Sequence, residues 1–177
     1  PRAACALVIG AGLDGGGSAA AEPLVTARAV RDLPDRRAAE ELPVRLEATI
    51  THVDRSGTVF LQDETGGTFL SVGKSRFAGG DPRWVPGARV RAEGVTYPGL
   101  YVAGVRPSAV EVVGTGPLPA PAAATPADLA SGRWHYERVT IEGDVRSAAA
   151  DDAGGTVLRL MTAGGPAEAR VPGPPDP

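Results

Sequence analysis

The stretch VRLEATITHVDRSGTVFLQDETGGTFLSV, residues 44–72, decides the fold. In its first ten residues Leu46, Ala48 and Ile50 alternate with Arg45, Glu47, Thr49 and Thr51. A period of two marks a half-buried strand, because successive side chains point to opposite faces of a sheet. Arg55-Ser56-Gly57 reads as a turn, Thr58 to Gln62 as a second strand, Asp63 to Gly67 as a turn and Thr68 to Val72 as a third strand. The three strands form a meander.

Downstream, an irregular stretch from Gly73 to Trp84 leads to the turn Val85-Pro86-Gly87 and to a fourth strand, ARVRAEGVT, at 88–96. Tyr97 to Tyr101 forms a loop, and a fifth strand runs from about Tyr101 to Val113, broken near Pro107. Short antiparallel strands with a long excursion between the third and fourth match the small Greek-key barrel called the OB-fold. The expected class is all-β with short N-terminal helices, and a split sandwich is the competing architecture.

Upstream, Thr26 is placed to cap a helix from Ala27 to Leu33 that Pro34 closes, and a second short helix is expected from Asp35 to Leu42. Before them, AACALVIGAGL at 3–13 is an apolar run with Arg2 ahead of it and small residues from Ser18 to Ala21 behind it. This is the grammar of a signal peptide, too short for a membrane span. An exported, periplasmic or extracytoplasmic chain follows, read as part of a longer reading frame. The competing reading makes the run a buried strand or helix.

Residues 114–126, GTGPLPAPAAATP, read as a semi-rigid linker that does not pair in a sheet, followed by a helix from Ala127 to Ser131. Beyond it the first unit repeats: VTIEGDV at 139–145 aligns with VRLEATI at 44–50. With three extra loop residues, Thr58-Val59 matches Thr156-Val157 and Gly66-Gly67 matches Gly164-Gly165. The second unit stops at Val171 with no counterpart of strands four and five, so it is expected to stay an incomplete barrel or to borrow packing from the first. The divisions are a signal-like segment (1–21), a helical lead-in (22–43), an OB-like domain (44–113), a Pro/Ala-rich linker (114–132) and a partial second OB-like unit (133–177).

Composition narrows the function. With 24 Gly and 17 Pro in 177 residues, long helices are disfavoured. A net charge of −3 and a pI near 5.4 lack the basic footprint of a nucleic-acid module. One cysteine, Cys5, excludes an intrachain disulfide or a thiolate cluster, and His52 and His135 leave little for a histidine metal site. No phosphate loop, HExxH helix, nucleophile elbow or paired-cysteine pattern occurs. Asp63-Glu64 and Asp151-Asp152 read as turn chemistry and lack the spacing of a calcium loop. Neither enzymatic activity nor a metal or cofactor is expected of these residues.

The better candidate is the open face of the first barrel, since OB-folds bind on strands 2 and 3 and on the 1–2 and 4–5 loops. If Val59, Leu61, Leu70 and Val72 point inward, then Phe60, Gln62 and Phe69 share the outer face, rimmed by Tyr97, Tyr101 and Arg55. Such a platform stacks on bases, sugars or aromatic ligands, each ring contributing about 1–3 kcal/mol. In the competing reading, Phe60 and Phe69 pack under the N-terminal helices or against the second unit. Trp84 and Trp134 read as packing plugs, and His52 and His135 as surface or hydrogen-bonded residues.

The order of LVTARAVRDL (24–33), LPVRLEATITHVD (42–54), VFLQDETGGTFLSV (59–72), VPGARVRAEGVT (85–96) and GPLPAP (116–121) resembles the extracytoplasmic sensor regions of bacterial histidine kinases and diguanylate cyclases. The resemblance spans about 24–171, with FLQDETGG its strongest piece, and the same strand grammar occurs in other exported OB-like proteins. It implies a non-catalytic sensory or ligand-binding module whose transmitter and membrane attachment belong to sequence after Pro177. Its partner would be a small molecule, a glycan or a protein, with a homodimer left open. The alternatives are a nucleic-acid or oligosaccharide binder using the Phe60/Phe69 face, or an accessory domain of a secreted hydrolase.

Overall fold

In the computed structural model, which describes residues 21–54, 56–72 and 81–173, two short helices precede the first strand. The first, α1 (Ala27–Arg31), begins at Thr26, whose hydroxyl accepts the Ala29 N–H at 3.2 Å. Asp63 Oδ2 accepts the Ala27 N–H at 2.8 Å, so two of the donors orphaned at a helix start are satisfied. The second, α2 (Asp35–Ala38), is shorter than the expected Asp35–Leu42. The barrel takes over its last backbone groups: Thr96 Oγ1 donates to Ala38 O at 2.7 Å and accepts from Leu42 N at 3.0 Å.

Strands β1 (Pro43–Val53), β2 (Thr58–Gln62), β3 (Gly67–Ser71), β4 (Ala88–Tyr97) and β5 (Gly104–Thr115) close into a barrel in the order β1-β2-β3-β5-β4. This is the five-stranded Greek-key arrangement read from the sequence. β3 and β5 run parallel, and the other neighbours are antiparallel. β1 serves two partners, because residues 43–49 pair with β4 and residues 49–53 pair with β2. Its alternation puts Val44, Leu46, Ala48 and Ile50 inside, none more than 5% exposed, beside Val59, Leu61, Leu70, Val90 and Val105. Burying aliphatic side chains of this size contributes about 1.5–3 kcal/mol each. Trp84 belongs to this core. Outside, Glu47 pairs with Arg89 at 2.6 Å and with Arg91 at 3.3 Å across the β1–β4 seam. β5 passes through Pro107 without the expected break, since a bulge between Glu93 and Gly94 absorbs the irregularity.

Beyond the barrel, β6 (Ala122–Ala123) and β7 (Val139–Thr140) pair in parallel, which corrects the expectation that residues 114–126 stay out of a sheet. The prolines flank this pair, leaving Ala122 N and Ala124 N free to donate to Arg138 O and Thr140 O. Between them lies α3 (Pro126–Ala130), closed at its start by a Thr125–Asp128 capping box. Then β8 (Asp144–Ala150), β9 (Gly155–Thr162) and β10 (Gly165–Pro172) form an open antiparallel sheet in the order β10-β9-β8.

The repeat covers more than the strands. Leu24 bridges Val44 in parallel, as Ala122 bridges Val139, and each bridge is followed by a threonine-capped helix. Asp54 Oδ1 accepts the Thr58 N–H at 2.8 Å around Gly57 (φ 84°), while Asp151 Oδ1 accepts the Gly155 N–H at 2.6 Å around Gly154 (φ 75°). The pair Ile50 and Leu61 is matched by Val145 and Leu160, and a bulge follows Ile50 and Val145 alike. This register corrects the alignment of the second strands. The hairpin of the second unit is longer by the pairs Ala149–Val157 and Ala150–Thr156, so Val59 corresponds to Leu158 and Gly67 to Pro166. Among the described residues no helix is long and apolar enough to cross a membrane.

Candidate functional site

Phe60 and Phe69 face each other in the β2–β3 register, on the outer side of the barrel. The structure also brings Gln62, Tyr97 and Tyr101 to this side, whereas Arg55 lies outside the described residues. A strap of the chain's own residues, 132–138, crosses this platform. The Tyr136 ring sits 4.8 Å from both Phe60 and Phe69, edge-on to the first (87°) and tilted to the second (30°). His52 meets Phe60 at 5.1 Å, Tyr97 meets Phe69 at 6.5 Å, and Tyr101 stacks on His135 at 4.8 Å. Such aromatic pairs contribute about 0.5–1.5 kcal/mol each beyond burial.

Polar contacts fix the strap in register. Gln62 Oε1 accepts the Arg138 N–H at 3.0 Å. Glu137 forms an ion pair with Arg31 of α1 in which both side chains are about nine-tenths buried, and Arg31 also donates to the Gly132 and Arg133 carbonyls. Arg138 reaches back to the Pro119 carbonyl. Gly67 permits the close approach, since a Cβ there would lie 2.7 Å from Glu137 Cγ and closer still to the Tyr136 carbonyl. Tyr136 itself holds a left-handed backbone (φ 62°), which costs a non-glycine residue about 1–2 kcal/mol. The surrounding contacts outweigh that strain.

Burial favours the neutral forms of His135 and Tyr136. Burial, reinforced by the Arg31 charge, pushes His135 below its ordinary value, and burial pushes Tyr136 up, with Asp54 and Tyr101 adding to the shift. Trp134 Nε1 is buried with no acceptor among the described residues, and the Arg133 guanidinium lies 4.9 Å from the centre of the Trp134 ring. A cleft of about 590 Å³ separates His52, Asp54 and Ser56 from Asp151, Arg170 and Pro172. Burial raises the Asp54 carboxyl, but hydrogen bonds from Ser56 and Thr58 together outweigh it and hold the group below its ordinary value. Asp54 and Asp63 hold turns together, which is the chemistry read for Asp63 from the sequence. Among the described residues no group of three or more His, Cys, Asp or Glu is placed to hold a metal ion.

The competing reading, in which Phe60 and Phe69 pack against the second unit, matches the seating of Tyr136 on both rings, but the individual residues that make the contact were not read from the sequence. Arg31, Tyr136, Glu137 and Arg138 carried no motif. The available signal was the density of rings in WHYE, 134–137, together with Gly67 at the start of a strand, where the backbone does not itself call for glycine.

No protein-family model matches the chain, and no curated protein does. Among solved structures it is similar to the hypothetical protein ygiW from E. coli, at 15% identity and a TM-score of 0.41, over 52% of this chain and 91% of that one.

Proposed function

We propose that this chain is a non-catalytic input module of an exported bacterial sensory protein, in which the ligand face of the first barrel doubles as the joint to the second unit. The observation that supports this reading is the seating of Tyr136 on Phe60 and Phe69. A ligand that claims those rings must displace the strap, so occupancy of the face and the arrangement of the units are linked. A small molecule, glycan or protein segment with an aromatic or planar group suits the platform. Direct nucleic-acid or oligosaccharide binding needs the same displacement, and a net charge of −3 does not assist binding to a polyanion.

Reading the gene past Pro177 tests the assignment. A membrane-spanning segment followed by a kinase or cyclase transmitter is the expected result. A reading frame that closes without either would sink the sensory reading.

A further inference from the structure

We infer that this protein associates head to tail with further copies of itself, the lead-in of one first barrel (residues 37–43) seating on the outer face of β9 and β10 of another copy. Each unit holds a platform and a strap, and the fold brings together the platform of the first with the strap of the second. In the register already described, Phe60 corresponds to Arg159, Gln62 to Met161 and Phe69 to Glu168. Counting back from the matched bridges at Val44 and Val139, Tyr136 corresponds to Glu41, Glu137 to Leu42 and Arg138 to Pro43. The backbone agrees: Glu41 (φ 55°) and Tyr136 (φ 62°) are the two non-glycine residues with a left-handed backbone among those described. The first unit therefore builds the same knob that the second unit seats on Phe60 and Phe69, and there it stands exposed. Within its own barrel Glu41 pairs with Arg106, an exposed contact that is weak and exchangeable.

The residues of this second platform and second strap suit one another position by position. Where Tyr136 meets Phe60, the counterparts are Glu41 and Arg159, a carboxylate and a guanidinium. Arg159 is exposed and, unlike Arg146 and Arg170, makes no ion pair among the described residues. Glu168 is held by Arg170, which leaves Arg159 as the charge open to an incoming carboxylate. Where Arg31 and Glu137 form a buried ion pair, the counterparts are Ala130, five residues past its helix cap like Arg31, and Leu42, so both charges are absent together. Where Gln62 accepts the Arg138 N–H, Met161 has no amide oxygen and Pro43 no N–H. A change on one side alone would leave a charge or polar group unpaired at the contact. A groove of about 450 Å³ on this face, with Arg146, Arg159, Met161, Pro166 and Glu168 in its lining, gives the incoming strap its seat. Pro166 stands where Gly67 admits the internal strap, so the second strap rides higher and touches through side chains. Such a contact is small and reversible. Because its two surfaces differ, it propagates as an open chain or closes as a ring.

Sedimentation velocity over a range of protein concentrations tests the inference, which stands whether or not the Phe60 platform takes a ligand. Association should rise with concentration and weaken with added salt, since an exposed ion pair is screened. Glu41→Arg and Arg159→Glu should each weaken it at least about tenfold by placing like charges together. Both positions are exposed, so the urea unfolding midpoint should stay in place. Mixing the two variants one to one should restore association, because each supplies the charge that the other lacks. A protein that stays monomeric up to about 1 mM, the weak end of measurable affinity, overturns the inference. Association that survives Glu41→Arg also overturns it, whatever Arg159→Glu does, because the occupant of the face is then not this lead-in. A mixture of the two variants that remains monomeric overturns it as well.

Discussion

Leu61 and Leu160 hold the same place in their hairpins, opposite Ile50 and Val145, yet Leu61 is fully buried and Leu160 only half-buried. The local instructions around them are the same: a threonine-capped helix, an aspartate turn around a left-handed glycine, and a bulge one residue past the pair. The difference lies in what crosses above. β4 and β5 roof the first hairpin, and among the described residues no further strand joins the second. Local signals are therefore enough to build a three-stranded meander, while burial of its inner face depends on strands distant in sequence.

The largest test of this contrast is truncation of the matched leucines. Leu61→Ala should cost about 4 kcal/mol, the cavity cost of a closed core, and Leu160→Ala less than about 1.5 kcal/mol, read from urea unfolding midpoints. Equal costs would break the comparison.

Next comes the joint between the units. Glu137→Ala leaves Arg31 buried without its carboxylate and should cost about 3 kcal/mol. Glu168→Ala, at the exposed Arg170 pair on β10, should stay within about 0.5 kcal/mol. A double-mutant cycle with Arg31→Ala should return a coupling well above that of the Arg170 pair; no coupling would mean that the ion pair does not hold the strap.

Glycine at the crossing gives a smaller effect. Gly67→Ala forces the strap outward and should destabilise by about 1–3 kcal/mol, exposing the Tyr136 segment to protease. The register-matched Pro166, which no strap crosses, should tolerate Ala with a change of about 0.5 kcal/mol or less.

The smallest effect is on pH. His135 is held below its ordinary value near 6.5, so between the lowered value and 6.5 the unfolded chain binds a proton that the folded chain does not. Its contribution is complete above about 6.5 and is lost as pH falls through 6.5 towards the lowered value. Asp54 and Asp128, both lowered from 3.8, respond only in more acidic solution. The urea midpoint should drop between neutral pH and the mildly acidic range, and His135→Gln should flatten that drop. A slope unchanged by His135→Gln would place the response elsewhere.

Much of the barrel was legible because its residues answer to local rules. The alternation of β1, the bounds of β2, Thr26 as a cap and Asp63 as a turn residue all follow from neighbours a few positions away. The misreadings came where a distant partner intervened. α2 stops early because Thr96 claims its carbonyl, and the linker pairs because β7 comes alongside Ala122. The repeat slipped by one residue because the lengthening of the hairpin is shared between its two arms, which the loop sequence alone does not reveal.

By itself, the sequence determined an all-β chain of two related meanders with a platform of Phe60, Gln62 and Phe69 facing outward, because periodicity and turn chemistry are local. Only the tertiary structure decided that Tyr136 covers that platform, that Arg31 and Glu137 meet across 106 positions, and that one meander is roofed while the other is open. Those outcomes depend on which surfaces meet, and meeting is settled by the burial available once the whole chain has folded, not by the pattern within any one segment.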